Sequence, residues 1–321
     1  MKPNTSFYLR RTTVGYMILL FVLPVFLISC FSGTNDKNTT RDKSATEKGP
    51  TMNAFKLSQL TVTDNASFSS ILENFDKNDL QNIDRALTIF SNNKADSLSR
   101  DSMLISFNEY IINVIQDYYD KKLIGNRDLI DHFKNKEDQS EAQKLKSSLA
   151  SHGINLDYRN GDFYLEPDIE FLFSHLNSSI TSSSRNYLQT KINILKGFSS
   201  ENKQPLSPPD SLARQVIAWE DFMVKYPDYM LKDEIQTQYF DVLTAYLTGI
   251  EQVPMFDSNT KVLDPIYQTS YLRYIEEYPK RESTKIVKKY YDLLASKGFK
   301  YSEDLDSFLS EVNFNPTQNS K

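Results

Sequence analysis

The sequence predicts a mainly α-helical protein built from antiparallel helical hairpins, with one small β-hairpin. Three observations carry that expectation. From Phe68 onward, apolar residues recur at the three- and four-residue spacing that lines one face of a helix. One segment, residues 154–166, alternates instead about Asn160-Gly161. A run of aromatic residues ending in Tyr-Pro also occurs twice, at Trp219 to Pro227 and at Tyr271 to Pro279.

The N-terminus reads as an address rather than as part of the fold. Lys2, Arg10 and Arg11 precede an apolar stretch from Val14 to Ile28, and the chain turns polar from Ser32. A positive start, an apolar middle and a small residue before a cut describe a secretory signal over residues 1–29. Leu27-Ile28-Ser29-Cys30 resembles the lipobox of bacterial lipoproteins. That resemblance implies a diacylglycerol on the Cys30 thiol, cleavage before Cys30 and lipid anchoring outside the cytoplasm. Phe31, in place of Asp, implies by the same resemblance the outer membrane of a Gram-negative cell. The alternative is an uncleaved span, since the uncharged run from Thr12 to Asn35 is long enough to cross ~30 Å of hydrocarbon. Residues 30–53 carry no apolar periodicity and read as a flexible tether with a reach of roughly 25 Å.

Bulk composition excludes several classes. Hydrophobic residues at 39% and charged residues at 25% fit an ordinary globular body. The net charge is −5, and loss of the three cations in the leader takes it to −8. With Lys and Arg interspersed among Asp and Glu, such a body repels nucleic acid, and no nucleic-acid partner is expected. Cys30 is the one cysteine, so the body holds neither a disulfide framework nor a thiolate metal site.

The helical stripes come in order. Ile71, Leu72 and Phe75 form the first, Leu80, Ile83, Leu87 and Phe90 the second, and Leu104, Ile111, Ile115 and Tyr118 the third. Leu145 and Leu149 lead to a stop at Gly153, Phe171 pairs with His175, and Tyr187, Leu188, Ile192 and Leu195 run to Gly197. Between them, the alternating segment predicts a two-residue turn. It pairs Tyr158 with Phe163 and Leu156 with Leu165 on one face, and Arg159 with Asp162 on the other. The proline-rich run 203–210 separates an N-terminal subdomain, 54–200, from a C-terminal one, 208–313.

In the second subdomain, Trp219, Phe222, Met223, Tyr226 and Pro227 are answered 52 residues later by Tyr271, Tyr274, Ile275, Tyr278 and Pro279. Ile235, Tyr239 and Val242 are likewise answered by Val287, Tyr291 and Leu294. Helix, Tyr-Pro, helix is similar to tetratricopeptide-type hairpins, although two copies do not make a solenoid. Together with the stretch Tyr164 to Tyr187 and the loop from Gly249 to Asp257, these segments resemble a group of uncharacterised secreted bacterial lipoproteins. The resemblance implies a shared fold and extracellular placement, and it brings no activity.

Catalytic grammar is missing. His132, His152 and His175 fall in no metal-ligand spacing, and the sequence has neither a phosphate-binding glycine motif nor a nucleophile elbow. No metal and no cofactor are expected. Asp157, Asp162, Glu166, Asp168 and Glu170 cluster at the hairpin, where they could serve as solvated or capping acids, hold a divalent ion, or supply a carboxylate pair. The aromatic stripes led by Trp219 and Tyr271 are either packing or a ligand groove. The loop 249–264, with Pro254, Met255 and Phe256, is longer than a helix connection needs. The expected function is therefore a non-enzymatic binding or scaffold module for an envelope protein or a glycan, contacting it through Trp219, Tyr271, Pro254, Met255 and Phe256. The alternative is a surface hydrolase of glycans or peptides that uses carboxylates near the hairpin.

Overall fold

A computed structural model describes residues 62–134, 139–159, 161–197, 207–250 and 253–312. The leader, Cys30 and the tether lie outside these residues, as do Asn160 and residues 198–206. The described chain is mainly α-helical, as the apolar spacing predicts. Its contacts divide it into two compact units between Lys196 and Gly197, just before the proline-rich run. None of the helices among the described residues is long and apolar enough to cross a membrane.

In the first unit, helices α1 (Asn65–Glu73), α2 (Gln81–Ser91) and α3 (Ser97–Tyr118) bury most of the three predicted stripes, while Ile71, Leu80 and Tyr118 stay half-buried. Asp64 and Asp96 start α1 and α3 by accepting from the Ser67 and Ser99 amides, each at 2.8 Å. Phe68 and Phe90 meet edge to face at 5.7 Å in the core. Helix α3 ends in a π-helical turn, Tyr119–Leu123, which apolar spacing does not announce. Helices α4 (Arg127–Lys134) and α5 (Ser140–Ala150) follow.

Strands β1 (Ile154–Arg159) and β2 (Asp162–Pro167) pair in the predicted register: Leu156 with Leu165, Tyr158 with Phe163, Arg159 with Asp162. Phe133 of α4 clamps the inner face, 5.5 Å from the Tyr158 ring and 5.2 Å from Phe163. Gly153, at φ +74°, lets the chain enter β1 beside Phe171, whose ring would stand 2.5 Å from any added Cβ. Helices α6 (Ile169–Leu176) and α7 (Ser182–Lys196) complete the unit. Buried Asp101 of α3 accepts from Thr181 Oγ1 at 2.6 Å and from Ser184 Oγ, which ties it to the first turn of α7. On α7 the inward residue is Ile194, two turns after Tyr187, whereas Leu195 is exposed.

The second unit holds two helical hairpins, α8 (Pro208–Lys225) with α9 (Lys232–Thr248), and α10 (Pro265–Glu277) with α11 (Glu282–Ser296). Helix α8 also packs on α10, α9 on α11, and α12 (Glu303–Val312) on α11. The two Tyr-Pro sites end their helices alike. Tyr226 N donates to Phe222 O at 2.9 Å, and Tyr278 N donates to Tyr274 O at 3.0 Å. Each tyrosine leaves the helical region, at φ −132° and −123°, because the following proline crowds an α conformation. The copies differ in their second helices: Tyr239 is buried, but its counterpart Tyr291 is half-buried and Tyr290 takes the core position.

This core is rich in tyrosine. Trp219, Tyr246, Tyr267, Tyr271, Tyr274 and Tyr290 are all buried, and a buried hydroxyl is costly without a partner. Tyr271 donates to the carbonyls of Tyr246 and Leu247 at 3.1 Å, in the last turn of α9, where carbonyls lack helical donors. Tyr246 bonds Ser270 at 3.1 Å, and Tyr274 donates to Ser283 at 2.7 Å. Burial pushes the Tyr246, Tyr271 and Tyr274 hydroxyls far above the usual phenol range and keeps them neutral donors. Helix α11 has no side-chain cap from Arg281. Instead, buried Glu220 of α8 accepts from the Glu282 amide at 2.9 Å and from the Ser283 hydroxyl.

Candidate functional site

Trp219 and Tyr271 do not form a ligand groove. Both are fully buried on the faces that the helical hairpins press together, so a ligand meets neither. The loop 249–264 is held to the fold through Met255 and Leu263, the buried ones among its described residues. Strands β3 (Gly249–Ile250) and β4 (Val253–Pro254) pair across it, and Phe256 bridges Leu263. Leu263 N donates to Phe299 O at 2.8 Å, Tyr301 N to Lys261 O at 2.9 Å, and Asp264 N to Met255 O at 2.8 Å. Met255 is buried, with its sulfur facing the Tyr290 hydroxyl at 3.7 Å. Of the three expected loop contacts, Pro254 is exposed and Phe256, against the Tyr301 ring at 5.8 Å, is half-buried. The loop thereby pairs with residues 299–301, the connection between α11 and α12.

The five acids at the hairpin separate into two groups. Asp168 caps α6 by accepting from Phe171 N at 3.0 Å, Glu170 pairs with Lys196 at 2.9 Å, and Asp162 accepts from Tyr119 Oη at 3.0 Å. These three have structural partners. Asp157, which accepts from Tyr158 N at 2.8 Å, and Glu166 share the outer face of the hairpin with Asn155, Arg159, Asp162 and Tyr164, because strand alternation sends Leu156, Tyr158 and Phe163 inward. Among the described residues, no group of three or more His, Cys, Asp or Glu is placed to hold a metal ion. His152 lies 2.6 Å from Asp84, and His175 is exposed and bonded to the Phe171 carbonyl of its own helix at 2.8 Å.

Between this outer face and α5 lies a concavity of about 340 Å³. Its lining carries Lys146, Asn155, Asp157, Arg159, Tyr164 and Glu166. The Arg159 guanidinium lies over the Tyr164 ring, 4.6 Å from its centre, and 3.4 Å from the Asp157 carboxylate. Desolvation pushes the Glu166 carboxyl above the usual carboxylate range. Arg159 pulls it down, while Asp157 and Asp168 add to the rise. The volume is near the lower end for small-molecule sites, and convergent polar groups on a rigid element are what such sites use.

Strand alternation could have collected Asn155, Asp157, Arg159, Tyr164 and Glu166 on one face from the sequence. Nothing local could have added Lys146, which reaches the face only because α5 packs on β1. No family model matches the chain, and no curated protein or solved structure matches it either.

Proposed function

We propose that this chain is a lipid-anchored protein of the bacterial cell envelope that acts as a non-enzymatic binding module, taking its ligand in the concavity between α5 and the β-hairpin. The anchor rests on Leu27–Cys30 and on the position of the single cysteine at the end of the apolar leader. Two or more acyl chains would make the attachment stable, where one alone is marginal. The observation that carries the binding reading is the concavity itself. Its polar groups converge on a strand pair clamped by Phe133, and its lining includes no Ser, Cys or His to form a nucleophile and base.

One observation favours the hydrolase reading as a second. Asp157 lies opposite Tyr164 and Glu166 opposite Asn155, so the two acids are diagonal neighbours at roughly 7–8 Å. Two acids side by side on one strand face are the arrangement such a pair needs, and the raised Glu166 suits an acid. The pair would be Asp157 with Glu166, because Asp168 is occupied as a helix cap.

The test has two arms. Metabolic labelling with a fatty-acid analogue should mark the wild type, and Cys30→Ser should abolish both the label and membrane retention. A Cys30→Ser protein held just as firmly would remove the anchor from the proposal. Affinity capture from intact envelopes should then lose its specific partner on Tyr164→Ala. Capture unchanged by that substitution would take the binding role away from the concavity.

A further inference from the structure

This inference rests on the binding role proposed for the concavity and names the partner's chemistry. We infer that the concavity takes an extended peptide segment, which adds as a third strand to the open edge of β1. The register of the hairpin fixes which main-chain groups face its two edges. Asp168 N donates to Gly153 O at 2.8 Å, one step beyond the Ile154–Pro167 pair. Hydrogen-bonded pairs alternate along antiparallel strands, so Asn155 with Glu166, Asp157 with Tyr164 and Arg159 with Asp162 exchange the internal bonds. The main-chain groups of Leu156 and Tyr158 on β1, and of Phe163 and Leu165 on β2, therefore point outward. Two local features fit this alternation. Pro167, which has no N–H to give, occupies an outward position. The Tyr158 and Phe163 amides, nearest the turn, find the carboxylates of Asp157 and Asp162, each at 2.8 Å.

The concavity lies along the β1 edge. Successive residues of β1, from Ile154 to Asp157, all line it, although the Ile154 and Leu156 side chains are buried on the inner face. What those two turn toward the concavity is main chain. The Leu156 N–H, the Leu156 C=O and the Tyr158 C=O bond no other group among the described residues. Groups of this kind need water or another strand, and an extended peptide supplies donors and acceptors at the matching spacing. Lys146 and Ala150, one turn apart on α5, form the opposite wall. One strand fits between that helix and the edge, whereas a second copy would bring its own α5 against the same wall. About 340 Å³ likewise suits a short segment and excludes a folded partner. Charge selects among peptides. Arg159 already pairs with Asp157 at 3.4 Å, and the Lys146 ammonium lies over the Phe133 ring at 5.6 Å. Glu166 has no ion pair among the described residues, so a peptide with a basic side chain is the complementary one.

The experiment uses the full chain in detergent, with its amides isotopically labelled for NMR. It is titrated with acetyl-Thr-Val-Lys-Val-Thr-amide and with the same peptide N-methylated at every residue, which can no longer donate to a strand. The first peptide should shift the Leu156 amide signal saturably and slow its exchange with solvent, while the Leu165 amide on the other edge stays still. The N-methylated peptide should bind about tenfold more weakly or worse, through loss of the bonds to the Leu156 and Tyr158 carbonyls. Ala150→Trp, at the exposed end of α5, should fill the groove and abolish the shift, with unchanged β2 amide signals showing that the hairpin is intact. No response at Leu156 to the first peptide, or an equal response to both, would overturn the inference. A Leu156 shift that follows protein concentration alone would make the occupant a second copy and overturn it too. If the peptide arm fails while envelope capture still depends on Tyr164, the binding role stands without this partner. Failure of both would remove both.

Discussion

Glu220→Ala tests a long-range contact that holds the second unit together. The Glu220 carboxylate takes the Glu282 amide at 2.9 Å and the Ser283 hydroxyl, and so supplies from α8 the cap that α11 lacks in its own sequence. Truncation strands one buried and one part-buried donor that now bond a charged acceptor. Each such bond contributes about 1.5–3 kcal/mol, so a loss of about 3 kcal/mol or more is expected. For a domain of roughly 100 residues, 1 kcal/mol moves Tm by about 4–8 °C, and the unit should therefore melt about 12 °C or more below wild type. Glu220→Gln keeps the shape and the bond to Glu282. However, its amide donor faces a Ser283 hydroxyl that already accepts from Tyr274, so a loss of about 1–2 kcal/mol is expected. Trp219 is the only tryptophan and is buried in this unit, so its fluorescence follows this unit's unfolding. If Glu220→Ala melted within about 2 °C of wild type, far inside that per-kcal shift, Glu220 would not be the cap of α11 and the reasoning would fail.

Other outcomes follow from the same physical picture. Gly249 sits at φ +76° and ψ 176°, a region almost reserved for glycine, and an added Cβ would stand 2.8 Å from Met255 N. Gly249→Ala should cost about 1–3 kcal/mol from the backbone alone, read as a lower Trp219 melting temperature and faster amide exchange through residues 253–264. Glu166 has its folded pKa raised above the ordinary value of 4.5, chiefly by desolvation, so its contribution to stability is present below that value and is lost as pH rises through the folded one. Glu166→Gln should therefore raise the melting temperature of the first unit at pH 7 relative to wild type, and the gain should vanish on acidification below pH 4.5. A gain that is independent of pH would show that the carboxylate charge is not the cause.

What could be read in the sequence is what short-range geometry determines. Apolar spacing placed the long helices, since residues three and four apart share a face wherever the chain is helical. The register of the β-hairpin follows from a two-residue turn, which allows one pairing, so Leu156 meets Leu165 and Tyr158 meets Phe163. The Tyr226-Pro227 and Tyr278-Pro279 helix ends were legible for the same reason, as a proline acts on the residue directly before it. Tertiary packing decided the rest. It chose Ile194 over Leu195 and Tyr290 over Tyr291 as inward residues, although the spacing admits either. It enclosed Trp219 and Tyr271 between helical hairpins, whereas their pattern alone suits a core or a groove equally. Glu220 is 63 residues from Ser283, and Lys146 joins the hairpin concavity from a separate helix. A local pattern records which face of an element is apolar, but the partner that covers that face is set by surfaces meeting across long stretches of chain.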